Sequence, residues 1–146
     1  MWNALDRYRD AGLLTLRLGF GLSFAWYHGY PKLMGGPEGW ERTGRAVGHV
    51  GITAGYEWWG LAAALSETVG GLLFAAGMFF RPVCLAMLGV MVFATIEQFN
   101  RAMPAPEHAL KNAFVFAGMF LVGPGRYTLL ARGQRSKGRG QRRPPV

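Results

Sequence analysis

The chain has 146 residues, of which 51% are hydrophobic and 14% aromatic, and a formal net charge of +8. That length leaves room for one domain, and a lone cysteine, Cys84, excludes an intramolecular disulfide and a self-contained dithiol relay. The charge is local: residues 126–146 carry seven Lys/Arg and no acid, while the remaining basic residues nearly cancel the eight acids.

In chain order, residues 1–10 are short and amphipathic. A first apolar block, 13–30, holds Arg17 inside it and Trp26, Tyr27 and His28 at its end. It lacks a small-residue cleavage site, so it is expected to be retained rather than removed as a signal peptide. Pro31 is where this helix is expected to end or kink. Residues 35–56 form the longest polar stretch. Trp40, Tyr56, Trp58 and Trp59 suit a membrane–water interface, and 38–50 are expected as a short interfacial helix.

The second block, 58–80, contains one charge, Glu67. It is long enough to cross a bilayer, and an ionisable residue at its centre costs at least ~2.5 kcal/mol on insertion scales. Ala62, Ser66 and Gly70, and likewise Ala63, Glu67 and Gly71, recur at four-residue spacing. Such ladders let a neighbouring helix approach closely. A tight turn at Phe80-Arg81-Pro82 leads to the third block, 83–99, which is near the lower length limit for a span. Pro104 and Pro106 break the link that follows. The fourth block, 107–122, has Lys111 and Asn112 at the interface and stops at Gly123-Pro124-Gly125.

The expected fold is all-α: an integral membrane, antiparallel four-helix bundle over residues 1–130. A basic tail, 131–146, is expected to be disordered because it is rich in Gly, Pro and Arg. With four spans both termini share a side, and that side holds ten Lys/Arg against five opposite, with Arg17 just inside the first span. The positive-inside rule puts the termini in the cytoplasm. The tail is better suited to anionic lipid beside a span than to nucleic acid.

Three groups of residues could carry chemistry. Arg17 and His28, eleven positions apart, point the same way on a regular helix, ~16 Å apart in height. Glu67 lies between them in height, so either is a candidate partner, and the pair would be either a proton-handling site or a structural ion pair. Lys32 extends the stripe if Pro31 does not turn the chain. At the outer end, Glu97, Gln98 and Asn100 follow the third block, while His108, Lys111 and Asn112 share one helical face. With His28 and Lys32 they are expected to line an outward-opening polar pocket. His28 and His108 are a weak pair of haem ligands, and haem is disfavoured. The absence of a Cys/His cluster argues against zinc. No phosphate loop, dinucleotide fingerprint or serine elbow is present.

The segment His28-Gly29-Tyr30-Pro31-Lys32-Leu33 resembles the signature ending the first helix in the DoxX family. Glu67-Thr68-Val69-Gly70-Gly71, followed by Gly77 and Arg81-Pro82, resembles that family's second-helix signature. Gly123-Pro124-Gly125-Arg126-Tyr127 resembles its C-terminal motif. The likeness covers 13–130. It departs at Thr128-Leu129-Leu130, where the family often has Ser-Leu-Asp, and in the extended basic tail. The resemblance implies a multi-pass protein of the bacterial inner membrane. Relatives include a subunit of a quinone-linked thiosulfate oxidoreductase and members of a membrane complex handling oxidative and thiol stress.

The leading expectation is therefore a quinone-linked oxidoreductase component. Glu67, His28 and Arg17 would carry the proton chemistry, and His28, Lys32, Glu97, His108 and Lys111 would surround the quinone. The alternatives are a non-catalytic anchor for a soluble redox protein and a small proton-coupled transporter titrating at Glu67. The partners this reading admits are the lipid bilayer, a soluble redox protein and further copies of the chain.

Overall fold

The computed structural model describes residues 2–101 and 107–129. The basic tail and the prolines of the 102–106 link lie outside them. Among the described residues the chain is helical throughout, with no strand. A short 3-10 turn, Trp2–Tyr8, leads into α1 (Arg9–Ser23), a wide π-turn segment (Phe24–Gly29), α2 (Tyr30–Met34) and α3 (Gly36–Gly44). A 3-10 segment, Arg45–Val50, precedes α4 (Tyr56–Ala76), α5 (Phe80–Asn100) and α6 (Glu107–Val122). The helices α4 and α5 are each long and apolar enough to cross a membrane.

Pro31 does not end the first helix, contrary to the sequence expectation. It has no N–H and its ring crowds the carbonyl four residues back. The preceding turn widens to accommodate this, and Tyr30 N–H bonds back to the carbonyl of Ala25. Helix then continues to Met34. A widened turn amounts to one inserted residue, which delays the helical phase by ~100°.

That delay keeps one seam of small residues against α4. A side chain at Gly21 would strike the backbone of Gly71 and Ala75, and one at Gly29 would strike the backbone of Thr68. Going up α1 therefore means going down α4: the two run in opposite directions with their backbones nearly touching. The Ala63-Glu67-Gly71 ladder is part of this seam.

The 35–56 stretch is more structured than a surface loop. The helix α3 lies against the start of α4, with Gly44 on the Tyr56 carbonyl and Gly60 on the Trp40 carbonyl. Neither glycine has room for a Cβ. The Trp40 indole N–H donates to the carbonyls of Lys32 and Leu33 at 3.1 and 3.2 Å, closing the open end of α2.

The tight turn expected at 80–82 sits three residues earlier. Gly77, with φ +71°, ends α4 in a Schellman motif: Met78 N–H bonds to Leu73 O at 2.9 Å and Gly77 N–H to Phe74 O at 3.1 Å. Arg81 and Pro82 then fall in the first turn of α5, where a missing N–H leaves no bond unmade. The stop expected after the last helix is where the sequence placed it, with Gly123 at φ +82°.

The core joins α1, α4, α5 and α6. Phe116 meets Phe20, Phe24 and Phe74 edge-on at 5.3–5.6 Å, and Phe74 stacks on Phe80. Such pairs add ~0.5–1.5 kcal/mol each beyond burial. Cys84, Met87 and Met91 complete the α5 side, all buried.

Candidate functional site

Glu67, at mid-α4, is completely buried. Its charged partner is Lys32, whose ammonium lies 2.6 Å from Oε1. This corrects the expectation of Arg17 or His28, and the π-turn is the reason. A uniform helix places Arg17 and His28 on one face. The delay in phase turns His28 outward, where it is exposed and packs on the Phe24 ring at 4.9 Å, and brings Lys32 round to α4. Oε2 of Glu67 has no hydrogen-bond partner among the described residues.

Arg17 lies at the other end of α4. Its guanidinium rests against Gly77, the C-cap, and its Nη2 donates to the Tyr127 carbonyl. Ten residues of helix, ~15 Å, separate Gly77 from Glu67, too far for an arginine side chain to bridge. A cation at a helix C-terminus is favourably placed against the helix dipole.

A cavity of about 450 Å³ lies between α4, α5, α3 and the 3-10 segment. Its walls are small and apolar: Ala62, Ala63, Ala86, Gly89, Phe93 and Ala94. Lys32, Arg42, Glu97, Gln98 and Arg101 give it a polar lining. Lys32 therefore serves two environments. Its ammonium pairs with the sealed carboxylate of Glu67, and its partly exposed side chain borders the cavity.

Glu97 is held on two sides. His49 Nε2 lies 2.6 Å from Oε2, and Arg101 Nε pairs with Oε1 one helical turn on. The His49 contact ties the Arg45–Val50 segment down onto α5. The side-chain carbonyl oxygen of Gln98 is buried with no hydrogen-bond partner among the described residues.

Of the residues singled out from the sequence, Lys32 and Glu97 share this cavity and Glu67 backs it through Lys32. His28, His108 and Lys111 are not among its lining residues. His108 is exposed, and Lys111 pairs loosely with Glu107 at 3.8 Å on the surface of α6. The sequence reading missed Arg42 and His49. Both reach the site through the folding-back of α3, which the reading placed on the outer surface. The Glu97–Arg101 spacing of four was a legible helical ion-pair signal.

The arrangement can do three things chemically. It can enclose a flat, mostly apolar molecule between α4 and α5. It can donate hydrogen bonds from Lys32, Arg42 or Arg101 to oxygens on that molecule. It can also hold a proton on the Lys32–Glu67 pair, away from bulk water.

No curated protein and no solved structure is detectably similar to the chain. The DoxX family profile matches residues 12–99, well over half of the sequence. That match spans the α1–α4 seam, Lys32, Glu67 and the α5 wall of the cavity. The chain belongs to the DoxX family, and with two helices of membrane-crossing length it is a membrane protein of that family.

Proposed function

We propose that this protein is a four-span component of the bacterial inner membrane with both termini cytoplasmic, and that its α4–α5 cavity binds a quinone for a membrane redox complex. The membrane reading is supported by apolar side chains turned outward on every long helix, among them Trp26, Trp58, Val92, Phe114 and Leu121. A soluble monomer rarely exposes so much apolar surface. In a bilayer these residues face acyl chains.

The observation that carries the quinone reading is the double role of Lys32. It borders an apolar cavity and is hydrogen-bonded to a buried carboxylate. A quinone needs an apolar slot, donors for its carbonyl oxygens and a source of protons as electrons arrive, and the residues present fit those needs. Lys32 is positioned to donate to a carbonyl oxygen and to pass a proton toward it. Glu67 returns the proton to Lys32 or holds its charge. Arg42 and Arg101 add positive charge at the polar lining, and the apolar walls exclude water from the body of the slot. Two electrons come from a soluble donor or a partner protein; the chain's own part is binding, orientation and proton delivery.

The test is mass spectrometry of the protein purified in mild detergent with its native lipid, alongside titration with a soluble short-chain quinone. A Cβ at Gly89 meets nothing within 4 Å, so Gly89→Leu fills the slot without disturbing the helix pair. The wild type should carry or bind quinone, and Gly89→Leu should lose it while remaining folded. Absence of binding to the wild type, or equal binding to Gly89→Leu, would overturn the reading.

A further inference from the structure

At the opposite end of α4 from the cavity's polar lining, a groove of about 870 Å³ runs between α1, α4 and the segment after α6. Leu14, Arg17, Leu18, Leu72, Arg126 and Leu129 line it. Arg17 is completely buried there. Only Nη2 has a partner, the Tyr127 carbonyl; Nε and Nη1 have no hydrogen-bond partner among the described residues. No carboxylate among those residues pairs with Arg17. The nearby acid, Asp10, accepts from the Arg126 backbone N–H at 3.1 Å and faces the Arg126 guanidinium at 3.8 Å.

A buried guanidinium with unmet donors and no counter-charge is costly. The C-terminal end of α4 offsets part of its charge but leaves those two nitrogens without acceptors. A multidentate oxyanion would satisfy both and supply the missing charge, and arginine is the side chain best suited to phosphate.

We infer that this groove binds a phosphate-bearing anion on Arg17, either an anionic phospholipid headgroup or free phosphate. Two further observations favour the lipid as its source. Leu18 and Leu72 line the groove and are 43% and 50% exposed, so it has an apolar, open side along which an acyl chain can lie. Beyond Leu129 the sequence carries six more Lys/Arg and no acid, which draws anionic lipid to this end of the protein. The inference rests on the membrane reading above but not on the quinone reading, which concerns another cavity.

The test uses full-length protein, delipidated in non-ionic detergent, with thermal unfolding followed by tryptophan fluorescence. Dioctanoyl phosphatidylglycerol should raise the midpoint saturably, and dioctanoylglycerol, which has the same chains and no phosphate, should not. A rise with inorganic phosphate as well assigns the site to the anion itself; a rise with the lipid alone assigns it to the headgroup. Arg17→Gln should weaken the effect at least ~10-fold. Should that variant fail to fold, Leu18→Trp fills the groove from its exposed side, leaves Arg17 in place, and should weaken the effect likewise. No rise with either phosphate compound, or a rise unchanged in the variants that fold, overturns the inference. The assay is run in detergent and does not depend on topology, so failure of the membrane reading would be seen separately, by residue labelling.

Discussion

The ammonium of Lys32 lies 2.6 Å from Oε1 of Glu67, yet the two side chains differ sharply in access: Lys32 is 32% exposed and Glu67 1%. Removing one member therefore leaves very different remnants. Lys32→Met strands a sealed carboxylate, which should cost about 3–5 kcal/mol. Glu67→Gln keeps an acceptor for an ammonium that still reaches the cavity, and should cost about 1–2 kcal/mol. The double variant should be more stable than Lys32→Met alone. Chemical unfolding in detergent measures all three, and a larger loss for Glu67→Gln would contradict the assignment.

The contact between α3 and α4 depends on two glycines rather than on side-chain packing. Gly60→Ala places a methyl group into the Trp40 carbonyl and should destabilise the fold by several times the ~1 kcal/mol that alanine ordinarily gains over glycine in a helix. Gly118→Ala, in α6 with open space around it, should be neutral or stabilising by up to ~1 kcal/mol. Unfolding midpoints of the two variants should move apart, and equal behaviour would show that α3 is not docked as described.

His49 is the one side chain printed between the Arg45–Val50 segment and Glu97. His49→Ala should free that segment without unfolding the helices, at a cost of about 1 kcal/mol. Hydrogen exchange reads this locally: the amides of Gly51 and Ile52, bonded back to Gly48 and Val47, should exchange faster while those of α5 stay protected. Unchanged exchange would mean that the segment is held by its backbone alone.

The four-span reading makes a topological claim. A cysteine at Gly48 and one in the tail at Gly133, in a Cys84→Ala background, should be labelled from opposite sides of the membrane. Cys84 is completely buried, so its replacement by alanine removes little besides the thiol. Labelling of both sites from one side would overturn the assigned orientation.

Much was legible before any coordinates. Residues 107–122 are an α-helix as the sequence reading placed it, and the second and third blocks differ from α4 and α5 by only a few residues. Long apolar stretches bounded by Gly and Pro leave little freedom in where a helix runs. The burial of Glu67 was also legible, because its small neighbours Ala63 and Gly71 invite a second helix onto the same face. Family membership followed from motifs at three points along the chain.

What the sequence by itself determined is which segments are helical, which carry charge into an apolar setting, and where glycine must end a helix. Those are local properties, fixed by composition and by backbone sterics within a few residues. Which cation meets Glu67, which of the outer polar residues share a cavity, and where α3 lies were decided only by the tertiary structure. One wide turn before Pro31 shifts the phase of everything after it, exchanging His28 for Lys32. The folding-back of α3 then brings Arg42 and His49 to α4 and α5. Both effects depend on backbone contacts between segments far apart in sequence, Gly29 with Thr68 and Gly44 with Gly60, and no periodicity within one helix encodes them.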